Sequence, residues 1–231
     1  MYQFRDRVCR EAGVELRVHA NRAALEAGAH PAKLGTQRCC GQLKTQGLLD
    51  ALAAGPFDAV IGGARREEER SRAKERVFSW RDAHGQWDPR NQRPEFWNLY
   101  NARVNPGESM RVFPISNWTE LDVWLYIERE KIPLPNIYFK HARQVIRRKG
   151  LLVPLTDVTP ALEGETIETV DVRFRTVGDM TCTCPVESDA ANPADIVAET
   201  LHVTVSERGA TRMDDRTSEA SMERRKKEGY F

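Results

Sequence analysis

The sequence predicts an α/β layered sheet. Three observations support it: apolar runs alternating with polar residues, stretches whose apolar residues recur every three to four positions, and glycine or proline between them. YQFRDRVCREAG spaces Phe4, Val8 and Ala12 four apart and stops at Gly13, which predicts a short helix. VELRVHA alternates Val14, Leu16 and Val18, as a half-buried strand does. CGQLKTQGLLDALAAG sets Leu43, Leu48, Leu49 and Leu52 near one helical face and ends at Gly55. FDAVIGG then reads as a short buried strand closing on Gly62 and Gly63, and RVFSW as another. Residues 82–107 are irregular, with Pro89, Pro94 and Pro106; a connection of that length is more often functional than neutral.

MRVFPIS resumes a strand, and NWTELDVWLYIERE is the clearest helix. Asn117 is its expected N-cap with Glu120 three residues on, Trp118, Leu121 and Leu125 its apolar stripe, and Pro133 its end. In ETVDVRFRTVG, Val170, Val172 and Phe174 are expected inward and Asp171, Arg173 and Arg175 outward. NPADIVAETLHVTV offers Asn192 as cap and Pro193 at the first helical position. The closing DDRTSEASMERRKKEGYF is strongly charged, and its RRKK (Arg224 to Lys227) reads as a solvated face.

A formal net charge of +1 gives no global field to gather nucleic acid or an anionic membrane, so anion recognition must be local. The N-terminus is charged from Arg5 onward and no run approaches the ~20 apolar residues of a membrane span, so a soluble, cytoplasmic chain is expected. The five cysteines (Cys9, Cys39, Cys40, Cys182, Cys184) are an odd number with no export signal, which suggests reduced thiols. Neither close pair has zinc spacing, and the histidines are scattered, so no metal site is expected.

The densest charge follows Gly62–Gly63: Arg65, Arg66, Arg70, Arg72, Lys74 and Arg76, against Glu67, Glu68, Glu69 and Glu75. In open α/β sheets, ligands sit beyond the carboxyl ends of strands. Glycines there let the backbone approach a ligand and adopt positive φ, and arginines supply planar paired donors for phosphate or sulfate oxygens. The competing reading is a solvated helix with pairs such as Glu68–Arg72, and composition alone favours it.

The longer strings GGARREEERSRAKER, RDAHGQWDPRNQRPEFWNLYN, GESMRVFPISNWTELDVWLYI, VRFRTVGDMTCT, VESDA and SMERRKKEGYF resemble the small subunit of bacterial two-subunit sulfate adenylyltransferase. The resemblance is collinear over essentially the whole chain. It implies an adenine-nucleotide α-hydrolase-like parallel sheet flanked by helices, with an irregular α+β C-terminal region. It implies the reaction ATP + sulfate → adenosine 5′-phosphosulfate + diphosphate, Mg²⁺ on the phosphates, and a GTPase large subunit whose GTP hydrolysis drives the step. On this resemblance Arg65 and Arg66 are the expected catalytic residues. Gly62, Gly63, Arg72, Lys74 and Arg76 are the expected ATP and sulfate ligands, with Arg173 and Arg175 as further candidates for anion or partner.

The family's S-G-G-K-D-S-like PP-loop, which grips diphosphate at a helix N-terminus, does not occur in this sequence. The resemblance starts at MYQFRDR, partway into the family. The first β-α-β unit is therefore expected to be missing, leaving an exposed sheet edge and a chain of little activity by itself. Residues 1–150 are read as an incomplete nucleotide α-hydrolase-like core. Residues 151–231 are read as an extension with a strand at 169–177, a helix at about 193–205 and a charged tail. Two alternatives stay open. One is a non-catalytic, partner-binding fragment. The other is an adenosine phosphosulfate reductase-like protein whose Cys39, Cys40, Cys182 and Cys184 ligate an iron–sulfur cluster. The C-x-C spacing of Cys182 and Cys184 and the lack of any later cysteine count against that cluster.

Overall fold

The computed structural model describes residues 1–68, 72–205 and 211. In chain order the elements are α1 (Tyr2–Glu11), α2 (Arg22–Glu26), α3 (Pro31–Leu34), α4 (Thr36–Cys40), a π-helical turn (Gly41–Gln46), α5 (Gly47–Ala53), β1 (Ala59–Ile61), β2 (Phe78–Arg81) and β3 (Ser109–Val112). Then follow α6 (Glu120–Glu130), β4 (His141–Arg148), β5 (Leu151–Pro154), β6 (Ile167–Arg173), β7 (Val186–Glu187) and α7 (Pro193–Thr200). They pack as two compact units, one comprising Val18–Trp118 and the other Met1–Arg17 together with the described residues after Trp118. The architecture is mixed α/β.

In the unit from Val18 to Trp118, β3 is central, pairing in parallel with β1 (Ile61 opposite Val112) and antiparallel with β2 (Arg81 opposite Ser109). Parallel pairing among the described residues is confined to β1 and β3. β1 is an edge strand and, unlike the buried strand expected, leaves Ile61 73% exposed. The helix expected over 40–55 bulges at its π turn and buries Cys39, Cys40 and Thr45, while its leucines are half-buried.

The alternating segment Val14–Ala20 forms no strand, and Val14, Leu16 and Val18 are exposed. Period-two patterning makes a strand only where a neighbour takes up its N–H and C=O groups. No described strand lies along this one.

In the other unit, β5-β4-β6-β7 form an antiparallel sheet. The hairpin between β4 and β5 turns on Lys149 and Gly150, both at positive φ (50° and 75°), which matches the twist of the flanking strands. The 150/151 boundary of the sequence reading falls in this hairpin. Val145, Leu152 and Val172 form one cluster; Trp124, Ile127, Ala190 and Ile196 form another, joining α6 to α7. Asn192 caps α7 as expected, accepting from the Asp195 N–H at 3.0 Å, but the helix ends at Thr200.

The cap of α6 is two residues later than expected. Thr119 Oγ1 accepts from the Asp122 N–H (3.0 Å), and Asp122 accepts from the Thr119 N–H (2.8 Å). Glu120, the residue expected to close the box, is instead spent on Arg175. The buried face is Glu120, Trp124 and Ile127, with Leu125 and Tyr126 outward, and Lys131 in a left-handed conformation ends the helix before Pro133. Thr119→Ala should cost about 1 kcal/mol, read by urea denaturation against wild type.

Glu165 accepts from Arg148 Nε and Nη2 (2.5 and 2.7 Å) and from the Leu162 N–H (2.7 Å). The Arg148 bonds first and the Leu162 bond second hold its carboxyl at about 2, below the ordinary 4.5. The folded value being depressed, its stabilisation is complete above 4.5 and is lost as pH falls toward 2. Glu165→Gln should flatten that limb of an acid-unfolding curve; an unchanged limb would contradict the assignment.

Candidate functional site

Three described residues of the charged segment after β1 are buried, against the solvated helix that composition favours, while Glu67 and Lys74 are exposed. Residues 66–68 form one 3₁₀ turn; Arg65 is 4%, Arg72 6% and Glu75 2% exposed. The Arg65 guanidinium donates to Glu67 Oε2 (2.9 Å) and the Trp118 carbonyl (3.3 Å), and its backbone N–H donates to Glu68 Oε1 (3.1 Å). Glu68 also faces Arg72 (3.5 Å). Arg72 faces Glu75 (3.7 Å), and Glu75 accepts from Arg81 Nη2 at 3.2 Å. A continuous chain of charges thus runs from Arg65 to Arg81.

Arg81 and Arg111 are the residues that sequence patterning missed. Ser79 and Arg81 alternate with Phe78 and Trp80 on β2, and the register puts Arg111 opposite Ser79 and Ser109 opposite Arg81. The polar face of this ladder is the buried one: Ser79 and Arg81 are wholly buried and Arg111 is 1% exposed. An alternation rule puts Phe78 and Trp80 inside instead. The available signal was an arginine on each of two adjacent strands, in FSWR and SMRV. Burial pulls the Arg81 guanidinium down to about 10; Glu75 opposes that, and the Arg111 and Arg72 charges add to it. Burial lowers Arg111 likewise.

Arg66 differs from its neighbours. Its N–H donates to the Ser116 carbonyl (2.9 Å) and its Nε to Ser116 Oγ (3.2 Å), while no described carboxylate pairs with it. Its two terminal nitrogens make no hydrogen bond to a described residue. Among the described residues, five guanidiniums (Arg65, Arg66, Arg72, Arg81, Arg111) stand near three carboxylates (Glu67, Glu68, Glu75).

The other expected site residues are placed less centrally. The Gly62 N–H donates to the Val112 carbonyl (2.9 Å), which extends the β1 ladder. Neither Gly62 nor Gly63 has a positive φ, and a side chain at Gly63 would meet only Ile115 Cδ1 at 4.0 Å. Backbone strain does not require glycine at these positions. Lys74 is exposed, and Arg76 donates to the Glu75 carbonyl (3.3 Å). Arg70 and the RRKK of the tail lie outside the described residues.

Arg173 and Arg175 are buried, not outward. Arg173 is fully buried and holds Glu199 through Nε and Nη2 (3.1 and 2.7 Å), while Arg175 holds Glu120 (3.2 and 2.5 Å) and the Val205 carbonyl (3.1 Å). Burial pushes the Glu199 carboxyl up, but hydrogen bonds from Arg173 and Ser188 outweigh it and keep the group below its ordinary value. These contacts join β6 to the helices of their own unit.

None of the five cysteines is paired in a disulfide; Cys39 and Cys40 are buried in one unit, Cys182 and Cys184 in the other. Among the described residues no group of three or more His, Cys, Asp or Glu is placed to hold a metal ion. No helix among them is long and apolar enough to cross a membrane.

The family model for the phosphoadenosine phosphosulfate reductase domain matches residues 1–185. Proteins named sulfate adenylyltransferase subunit 2 match the entire chain: 50% identity for that of Akkermansia muciniphila, and 55% for those of Xylella fastidiosa and Rhodospirillum rubrum. The chain spans 76%, 76% and 78% of those proteins, respectively. With full-chain identity above one half in two of these relatives, the chain belongs to the sulfate adenylyltransferase subunit 2 family, within the phosphoadenosine phosphosulfate reductase domain group.

Proposed function

We propose that the chain acts in adenylyl transfer from ATP to sulfate, giving adenosine 5′-phosphosulfate and diphosphate, in the cytoplasm and together with a GTPase large subunit whose GTP hydrolysis drives the step. The observation that carries this reading is Arg66, a guanidinium oriented by Ser116 and not neutralised by any described carboxylate. A sulfate oxygen attacks the α-phosphorus as diphosphate departs. Sulfate, the α-phosphoryl group and the leaving diphosphate are all anionic, so catalysis rests on positioning them and neutralising their charge. Arg66 supplies terminal donors to an oxyanion. Arg65, Arg72, Arg81 and Arg111 supply a fixed positive field behind it.

Arg65 is therefore assigned a positioning role in place of direct contact, because its guanidinium is already spent on Glu67 and the Trp118 carbonyl. Gly62 and Gly63 provide unhindered backbone along which phosphates can pass, and Lys74 and Arg76 contribute charge at the margin. Mg²⁺ enters on the phosphates of ATP, where it neutralises charge. The described site offers guanidiniums and not an oxygen cage, so the ion is assigned to the substrate.

The test is ATP- and sulfate-dependent diphosphate release by the chain with its GTPase partner, with and without GTP. Sulfate-dependent release that rises with GTP supports the proposal. Because the PP-loop string is not in these residues, turnover by the 231-residue chain alone is expected to be weak. Co-purification with the GTPase and no release at all would favour the partner-binding reading. Sulfite formation from adenosine 5′-phosphosulfate, with an iron–sulfur absorbance band, would replace the proposal with the reductase.

A further inference from the structure

The long connection between β2 and β3 builds a cleft of about 790 Å³ that none of the assignments above uses. Its lining includes Trp80, Gln92, Arg93, Tyr100, Arg103 and Glu108. The connection is fastened to the free edge of β2. Glu95 accepts from the Val77 and Phe78 N–H groups (2.7 and 3.1 Å), and Gln92 Oε1 accepts from the Trp80 N–H (3.0 Å). Side chains of the loop thus replace a neighbouring strand, and the cleft wall is held to the sheet.

Gln92 lies in the inner wall of the cleft. Its side chain is 9% exposed, and the bond from Trp80 fixes the amide with its oxygen toward the strand. Its Nε2 is the other end, buried and without an acceptor. Arg103 is exposed and makes no hydrogen bond or ion pair with a described residue, and Arg93 spends only Nη2, on the Tyr100 carbonyl (3.1 Å). Against these donors stands one carboxylate: Glu108 Oε2 accepts from the Asn105 N–H (2.8 Å), Trp80 Nε1 (2.6 Å) and Asn105 Nδ2 (2.9 Å), bonds that, with the nearby Arg103 charge, lower its pKa. The cleft is rich in unspent donors, carries two aromatic rings, and falls in the roughly 300–1,000 Å³ range of small-molecule sites.

We propose that this cleft binds a nucleoside phosphate. The base lies against the rings of Trp80 and Tyr100, as nucleobases stack on aromatic side chains. The phosphate meets Arg103 and Arg93, and a base or ribose acceptor takes the Gln92 NH₂. This site goes beyond the anion site after β1 and does not require that site's chemistry.

The experiment titrates the intact chain with AMP, GMP and inorganic sulfate, following tryptophan fluorescence. Saturable quenching by a nucleotide at least 10-fold tighter than by sulfate is expected, and the tighter of AMP and GMP identifies which base the cleft accepts. Arg103→Ala, at an exposed position, should weaken nucleotide binding about 10-fold. Gln92→Glu keeps the acceptor for the Trp80 N–H but removes the donor and adds negative charge, so it should weaken binding at least as much. Melting curves of both variants establish that they fold. No saturation, sulfate equal to nucleotide, or binding unchanged in folded Arg103→Ala would overturn the proposal. Loss of nucleotide binding in Arg66→Ala but not in Arg103→Ala would place the ligand at the anion site, leaving the proposed function standing and this cleft without a ligand.

Discussion

Replacing Arg66 by alanine is expected to weaken binding of adenosine 5′-phosphosulfate by roughly 10- to 100-fold, the equivalent of losing a charge-assisted hydrogen bond of about 1.5–3 kcal/mol. Its melting temperature should fall by only about 2–4 °C, since the folded chain loses one neutral-acceptor bond to Ser116. Arg65→Ala should behave differently. It removes a buried side chain that holds Glu67 and the Trp118 carbonyl, so melting temperature and binding should fall together. Isothermal titration and melting curves on the same two variants separate the roles. Arg66→Lys tests geometry: a point charge restores attraction but not the planar fork, so only partial recovery is expected. If Arg66→Ala bound the product as wild type does, the anion site would not be where we place it.

Glu75→Gln should be the most destabilising single change in the unit from Val18 to Trp118, at about 3–5 kcal/mol by urea denaturation, because it leaves buried guanidiniums without their shared carboxylate. Glu75 is 2% exposed and stands between Arg72 and Arg81, whereas Glu67 is largely solvated. Glu67→Gln is therefore the control and should cost under about 1 kcal/mol. Sulfate should restore part of the Glu75→Gln loss, rising with concentration as a ligand that binds only the folded state does; chloride at matched ionic strength should not. Equal stability of the two variants would show that the carboxylate does not compensate the arginine cluster.

Much of the local structure was legible in the sequence. The four-residue spacing of Phe4, Val8 and Ala12 and the stop at Gly13 mark α1, and the Asn192–Pro193 pair marks the start of α7. The existence of α6 was legible too, but its cap was not. Asn117 and Thr119 are both good caps by type, and the choice fell to Thr119 because Glu120, three residues after Asn117, is drawn to Arg175 fifty-five residues away. Val14–Ala20 carried a strand pattern and no strand, since pairing depends on what lies alongside.

By itself, the sequence determined the family and marked the segment to which we assign the chemistry. Long collinear strings specify ancestry whatever their packing, and a glycine pair followed by arginines after an apolar run is a local signal. Only the tertiary structure decided which arginines are spent and which are free. Arg65, Arg72, Arg173 and Arg175 look as available in the sequence as Arg66 does. Each of those four is buried against carboxylates, whereas among the described residues Arg66 hydrogen-bonds only Ser116. The same holds for Arg81 and Arg111, which strand pairing turns into the interior alongside Ser79 and Ser109. A side chain's charge is written in its residue type, but its availability depends on counter-charges that folding brings from distant positions.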